Sequence, residues 1–341
     1  MTYETPRSRL RPVEEALGAL DEAERILLTT HINADGDGAG SEVGLAAWLL
    51  ERGKKVRIIN PTPFPEPLGF LLPDRSWVMD MGSDAGKDWA GAADLAVVLD
   101  TGEVPRIGGV SGLIESTPTI VIDHHPPGPS PVPGISLRDP AACATGELVF
   151  DLLMAAGGPW PRDAVRGLYV AILTDTGGFR FGNTSADAHR IVAFLLEKGA
   201  EPEALFRLTY GNAPLRKLRL LHAALGELEV DPDGTLAWMT VPGGAFEETG
   251  ATADDIEGLV DYPRDIQGVE VGLLFRETVK GFTKVSFRSN GAVDVNALAR
   301  RFGGGGHVKA SGALVERPLG QVREEVLEAV RGAIRQGRGD V

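Results

Sequence analysis

The chain has 341 residues, 43% of them apolar and 24% charged, with a formal net charge of −14 at pH 7. That length suits two domains better than one, and the composition excludes a disordered or collagen-like chain. The acidic total excludes a protein that holds long duplex nucleic acid through its phosphates, while a short nucleic acid in a local basic pocket, or an anion held through metal ions, stays open.

The first residues, MTYETPRSRLRPVEE, are basic at first but carry no apolar stretch of secretory type, and no uncharged apolar run approaches the roughly 18 residues of a membrane span. The one cysteine, Cys143, can form no internal disulfide and reads as a small core residue. A cytoplasmic protein without membrane association is expected. Residues 25–30 (RILLTT), 55–60 (KVRIIN), 94–100 (DLAVVLD) and 119–123 (TIVID) are compact Val/Ile/Leu runs, as in strands buried on both faces of a parallel sheet. Between them, residues 39–51 place Val43, Ala46, Ala47 and Leu50 at helical spacing, and 148–156 and 164–173 read as further helices. This alternation predicts an α/β domain, a parallel sheet flanked by helices, whose ligands gather beyond the carboxyl ends of the strands. The Pro-rich stretch 126–133 reads as a stiff surface loop. From 185 to about 228 the pattern is helical. Strands at 235–241, 269–277 and 281–288, a helix at 295–302, a glycine run, a short strand near 312–316 and a final helix at 319–335 predict a smaller mixed α+β domain. The expected organisation is an N-terminal domain over 1–195, a helical connector over 196–229 and a second domain over 230–341.

His and Asp concentrate where these elements stop. His31, Asp35 and Asp37 follow the first strand; Asp100 closes the third; Asp123, His124 and His125 close the fourth; Asp175 follows the helix at 164–173. Each cluster has an ordinary reading: Asp-Gly-Asp-Gly is a common turn, and a lone Asp such as Asp100 is often a cap. As a calcium loop the first cluster fails, because Ala39 and Ala46 occupy ligand positions. The joint occurrence, in order across one sheet, points instead to a shared centre. Carboxylates gathered there would repel, more so when buried. Divalent cations remove that conflict, and a carboxylate–imidazole set suits Mn²⁺ or a similar ion. A pair of such ions is a common device for in-line attack on phosphate esters.

In the second half, the glycine run 303–306 taken alone reads as a flexible joint, and no Gly-Lys-Ser/Thr follows to make it a Walker loop. It is closed by His307, with Ser311 beyond, so bare backbone at Gly304, Gly305 and Gly306 would let a ligand approach the N–H groups. Between 264 and 309 there are eight Lys/Arg and four Asp/Glu, opposite in sign to the whole chain. Arg288 and His307 are candidates for holding a base, sugar or terminal phosphate, and Arg180 for clamping a phosphate bidentately. A solvated basic face is the alternative for Arg300, Arg301 and Lys309.

The motifs HINADGDGAGS, VVLDTGE, VIDHH and LTDTGGFRF, with RRFGGGGHVKASGA in the second half, resemble those of the DHH phosphoesterases, named for the triplet Asp123-His124-His125. The resemblance covers nearly the whole chain, and size and paired domains look most like the NrnA group of nanoRNases that also act as phosphatases on 3′-phosphoadenosine 5′-phosphate (pAp). It implies a DHH catalytic domain, a DHH-associated substrate-binding domain and two divalent ions, Mn²⁺ first, with Mg²⁺ or Co²⁺ as alternatives. It further implies that His31 and Asp35 are terminal ligands of one ion, that Asp37, His124 and Asp175 are ligands of the other, and that Asp100 bridges both. His125 would touch the scissile phosphate or its leaving oxygen, with Asp123 orienting the histidines. Ala34 stands where the family usually has Pro, with a small backbone effect expected. The partners implied are short RNA or DNA oligonucleotides, pAp and also pApA, and a homodimer is allowed. The competing readings are a phosphodiesterase for pApA or cyclic dinucleotides, which shares these residues, and an inactive nucleotide-binding module, which predicts a broken ligand set. A RecJ-like exonuclease needs modules this length cannot house, and a related pyrophosphatase lacks the glycine–histidine motif.

Overall fold

Each of the apolar runs expected as a strand in the first half forms one: β1 (Arg25–Thr29), β2 (Lys55–Ile58), β3 (Leu95–Leu99) and β4 (Thr119–Asp123). With β5 (Ile135–Arg138) they make an all-parallel sheet in the order β2-β1-β3-β4-β5. Leu27, Ala96, Val98 and Val121 face one core, while Ile26, Leu28, Val97, Leu99, Ile120 and Ile122 face the other. Both faces are covered, which is why these runs are continuously apolar rather than alternating. The computed structural model describes residues 3–278 and 280–339, divided into two units, Met1–Asn212 and Ala213–Val341.

The helices of the first unit are α1 (Arg7–Glu22), α2 (Gly36–Glu51), α3 (Asp84–Gly91), α4 (Val110–Leu113), α5 (Thr145–Ala155), α6 (Arg162–Asp175), α7 (Ala186–Glu197) and α8 (Pro202–Tyr210). Helix α2 starts at Gly36, not at 39: the Asp35 carboxylate accepts the N–H groups of Asp37 and Gly38 and caps it. The Asp-Gly-Asp-Gly segment is therefore a cap and first helical turn. Its glycines serve packing. A Cβ on Gly40 would stand 2.5 Å from the Gly167 carbonyl oxygen of α6, and one on Gly167 would stand 2.5 Å from that of Gly40. Bare backbone lets α2 and α6 touch, which sets the separation of the carboxylates they carry. Helix α1 and strand β5 were not expected from the sequence. In α1 the core-facing position 9 holds an arginine, and Pro12 lies inside the helix. Arg9 is buried because it pairs with Asp139 at 2.6 Å, Glu147 at 2.6 Å and Asp151 at 3.0 Å.

The second unit contains α9 (Leu215–Leu225), β6 (Glu229–Val230), β7 (Leu236–Val241), α10 (Ala245–Thr249), α11 (Asp261–Arg264), β8 (Val271–Glu277), β9 (Thr283–Ser289), α12 (Val295–Arg301), β10 (Gly305–Gly306), β11 (Ala310–Val315) and α13 (Leu319–Gly339). Its six-stranded sheet runs β10-β11-β9-β8-β7-β6 and is mixed, since β7 and β8 are parallel and the other pairs antiparallel. Val285, Phe287, Val295, Val322 and Val330 belong to the core on one face; Met239, Leu274, Leu220 and Leu259 belong to that on the other. The helical stretch expected as a connector is shared out, α8 falling in the first unit and α9 in the second. The glycine run is not a joint: Gly305 and Gly306 pair with Gly312 and Ser311 as a short strand. Among the described residues no helix is long and apolar enough to cross a membrane.

Candidate metal centre

The register pairs Thr29 with Val98 and Leu99 with Ile122, so β1, β3 and β4 end together. His31, Asp100 and Asp123–His125 consequently leave the sheet at one edge. Among the described residues, the non-glycine positions with positive φ are Asn33, Asp100 and Phe179, all in the loops that follow β1, β3 and α6. Asp100, at φ 58°, is buried at the end of β3. Backbone in that region is costly for a non-glycine residue and survives where its surroundings hold it. Here the Asp100 N–H donates to the Ile122 carbonyl, and the Thr145 hydroxyl donates to Asp100 Oδ1 at 3.0 Å.

Two sets of His and Asp side chains gather around that carboxylate. On one side, His31 Nε2 lies 3.3 Å from Asp100 Oδ2 and 3.8 Å from Asp35 Oδ2. On the other, His124 Nε2 lies 3.7 Å from Asp100 Oδ1, 3.7 Å from Asp37 Oδ2 and 3.6 Å from Asp175 Oδ2. Asp100 thus turns one oxygen to each histidine. The His31 Nδ1 faces the Ile32 carbonyl at 3.0 Å, and that of His124 faces Ala142 at 3.3 Å. A carbonyl only accepts, so Nδ1 carries hydrogen in both rings and Nε2 is directed at the carboxylates. Asp37 is held by α5, whose Thr145 and Gly146 N–H groups donate to it at 2.6 and 2.9 Å.

Burial works against the charged form of His31, Asp37, Asp100 and Asp175, and neighbours then decide the state of each. For His31, burial is outweighed by Asp100 and Asp35, which push the imidazole up to about 10. For Asp100, burial is outweighed by His31, His125 and His124, which hold the carboxyl well below its ordinary range. For Asp35, burial and Asp100 are outweighed by His31 and the Gly38 N–H, and the carboxyl is lowered. Asp37 is raised well above its ordinary value by burial and by Asp100, Asp175 and Asp35. Asp175 is pushed up to about 7, mainly by burial, with Asp100 and Asp35 adding to it against His124. Such a set is frustrated without cations. The His31 Nε2 is also buried with no hydrogen-bond partner, and the donors form the triads His31/Asp35/Asp100 and Asp37/His124/Asp175, each within 4.8 Å. Oxygen and imidazole donors in this number fit divalent metals.

His125 Nδ1 donates to Asp123 Oδ1 at 2.8 Å, and the His125 N–H donates to the same oxygen at 3.0 Å. Burial lowers this imidazole, but Asp123 and Asp100 raise it further, so the net shift is upward. Arg138 holds the other oxygen of Asp123 at 3.3 Å, passing so close over Gly102 that a Cβ there would overlap its guanidinium. Thr145, Arg138 and Asn183 escaped the sequence reading. Asn183 Nδ2 donates to Asp175 Oδ2 at 3.2 Å and to the Cys143 carbonyl at 2.9 Å. No local spacing signals them, since each reaches the centre only through folding. Cys143 is buried in the core, as expected, with its thiol pushed up by burial and Glu147. Arg180 is exposed, its Nε donating to the Gly177 carbonyl at 2.6 Å.

The remaining predicted residues lie in the second unit. Arg288 pairs across strands with Ala310, at the end of the sheet where a tight turn links His307 to Ala310. Ser311 Oγ donates to the His307 carbonyl at 2.7 Å, and Gly304–Gly306 run beside it. Arg288 Nε stands 3.6 Å from Asp261, so part of its charge is offset.

Comparison with known proteins agrees with this picture. Residues 25–172 match the model of the DHH family, N-terminal domain, and residues 234–336 that of the DHHA1 domain. The bifunctional oligoribonuclease and PAP phosphatase NrnA of Thermus thermophilus is 35% identical over 95% of this chain and 94% of its own. The Bacillus subtilis protein of the same name is 27% identical over 86% of this chain and 90% of its own. Among solved structures, an exopolyphosphatase-related protein from Bacteroides fragilis matches with a TM-score of 0.86 at 27% identity, covering 96% of both chains. RecJ of Thermus thermophilus in complex with Mn²⁺ shares the fold, with a TM-score of 0.57 at 17% identity, over 96% of this chain and 56% of its own. With the paired domains, the DHH triplet at the end of β4 and this extent of similarity, the chain belongs to the DHH family of phosphoesterases and is NrnA-like.

Proposed function

We propose that this protein hydrolyses short oligoribonucleotides to mononucleotides and removes the 3′ phosphate of pAp to give AMP. The observation that carries the reading is Asp100, whose two oxygens face separate His/Asp sets 3.3 and 3.7 Å away. Names of the similar proteins supply the substrate classes. In this reading His31 and Asp35 hold one ion, Asp37, His124 and Asp175 hold the second, and Asp100 joins them; Mn²⁺ is the ion we favour. Bound there, two cations supply water acidified to near-neutral pKa and offset the charge of the phosphate.

The chain's own groups do the rest. Asp123 and Asp100 favour the protonated imidazole of His125, which can give its proton to the leaving oxygen. Asp123 takes both the ring and backbone N–H of His125, fixing the ring's direction. Thr145 and Asn183 orient Asp100, Asp37 and Asp175, so ligand geometry is set before substrate arrives. The first unit would serve catalysis and the second substrate binding, with Arg288, His307, Ser311 and the backbone of Gly304, Gly305 and Gly306 holding the nucleotide, and Arg180 a phosphate. Short RNA as substrate fits a cytoplasmic setting. An inactive binding module would be expected to lack a ligand, and all six expected side chains gather here.

The deciding assay sets the purified protein with Mn²⁺ against pAp, pApA, cyclic di-AMP and RNAs of graded length, beside His124→Ala. Release of phosphate from pAp and mononucleotides from short RNA is expected, with kcat reduced about a hundredfold or more in the variant. No release from pAp removes the phosphatase half of the proposal. Near-normal turnover by a folded His124→Ala protein removes the ligand assignment.

A further inference from the structure

Side chains along β9 alternate between the two faces of the sheet. Thr283, Val285, Phe287 and Ser289 are buried, whereas Lys284, Ser286 and Arg288 are partly exposed on the opposite face. Arg276 of β8 stands directly across from Lys284 in antiparallel register, so both project from that face. Like charges placed opposite each other repel and weaken a sheet unless something offsets them. Among the described residues neither forms an ion pair, and the Arg276 Nε is buried without a hydrogen-bond partner. Burial disfavours the charged form of both, and for Lys284 the repulsion of Arg276 adds to it, with Glu257 pulling the other way. The Phe246 ring lies 6.0 Å from the Arg276 guanidinium. Beside the pair, β11 presents Gly312 opposite Ser286 and Leu314, 52% exposed, opposite Lys284, leaving a low, open surface.

Two partly buried cations, with no ion pair among the described residues and open on the β11 side, are arranged for an anion delivered from outside. The distance to Arg288 narrows its nature. Lys284 and Arg288 are four residues apart on one strand, about 13 Å at roughly 3.3 Å per residue. A single nucleic-acid strand advances about 3.4 Å per nucleotide when stacked and further when unstacked, so this span takes about two to four nucleotide steps. A mononucleotide such as pAp does not bridge it. Building on the reading of Arg288 as a substrate contact, we propose that Arg276 and Lys284 form a distal subsite for an internucleotide phosphate of chains longer than a dinucleotide.

The test compares the full-length protein with an Arg276→Ala/Lys284→Ala variant, and with Arg276→Lys/Lys284→Arg as the charge-preserving exchange. With Mn²⁺ present, the ratio of kcat/KM for a pentaribonucleotide to that for pAp should fall about ten- to hundredfold in the alanine variant and recover in the exchange. A second readout needs no turnover: fluorescence anisotropy of a labelled pentaribonucleotide, titrated without metal across a salt series. Loss of the contact to one phosphate should reduce the slope of log Kd against log salt by about 0.7. An unchanged slope overturns the subsite, whatever the turnover ratio does. If the alanine variant fails to fold, Lys284→Gln alone carries the same test, with a smaller slope reduction in the same direction. If the unaltered protein cleaves no oligonucleotide, the proposed function fails, while the slope still decides the subsite independently.

Discussion

Replacing Arg9 with Met removes the cation that, among the described residues, pairs with three carboxylates of the first unit. The Arg9 side chain is 4% exposed, and those of Glu147 and Asp151 are 4% and 0% exposed. Breaking a buried ion pair from one side leaves uncompensated charge and costs about 3–5 kcal/mol. The cost should depend on pH. Asp151 already lies above its ordinary value because of burial, even with Tyr3, Thr5 and Arg9 pulling it down. Without Arg9 it rises further, and Glu147 loses its ion pair. A carboxyl whose folded pKa exceeds its unfolded value near 4 contributes most to stability below that value and loses the contribution as pH rises through the folded pKa. The variant's deficit should therefore be largest at pH 8 and smaller by about 1–2 kcal/mol at pH 5, one pKa unit being worth about 1.4 kcal/mol. Urea unfolding in the presence of EDTA, followed by tryptophan fluorescence, reads this directly, since Trp48, Trp77, Trp89 and Trp160 of the five tryptophans lie in the first unit. Adding Glu147→Gln and Asp151→Asn to the variant should restore much of the loss. A deficit below about 1 kcal/mol, of the size typical of any substitution, or one that does not shrink at pH 5, refutes the reasoning. The ion cluster also bears on the metal centre: Glu147 accepts the Cys143 N–H at 2.9 Å, just before the α5 start that holds Asp37.

Metal affinity should rise between about pH 6 and 8, because burial and neighbouring carboxylates push Asp175 up to about 7 and a cation must displace its proton. Asp37 is raised by the same causes and acts in the same direction. Calorimetric titration with Mn²⁺ in two buffers of different ionisation enthalpy would show proton release, and a pH-independent affinity would contradict it. Gly40→Ala should cost about 1–3 kcal/mol by forcing α2 off α6. Gly18→Ala, on the exposed side of α1 with nothing within 4 Å, should instead stabilise by up to about 1 kcal/mol; similar thermal shifts for the two would defeat the packing argument. Arg288→Ala should raise KM for di- to pentanucleotides more than for a small chromogenic phosphodiester, and equal effects would count against a substrate contact there.

Much of the site was readable because its residues sit at strand ends, where local sequence marks both the apolar run and its stop. His31, Asp100 and Asp123–His125 each follow such a run, so their meeting at one edge needed only the parallel sheet that the alternation implied. Where the reading failed, a distant partner outweighed local preference. Gly36, Gly38 and Gly40 discourage a helix by propensity, yet α2 begins among them because Asp35 caps it and α6 packs against its bare backbone. Helix α1 was hidden because arginine occupies a core-facing position, acceptable only with Asp139, Glu147 and Asp151 brought to it from over a hundred residues away.

Sequence alone determined the candidate ligands, their order and the α/β frame, since apolar periodicity and the chemistry of His and Asp are local properties. Tertiary structure decided which oxygen of Asp100 faces which His/Asp set, and that Thr145, Arg138 and Asn183 contact Asp100, Asp37, Asp123 and Asp175. It also turned a glycine run into a strand and put Arg276 across from Lys284. Each of these rests on register or packing between distant segments, and the energies involved arise only when the chain has closed on itself.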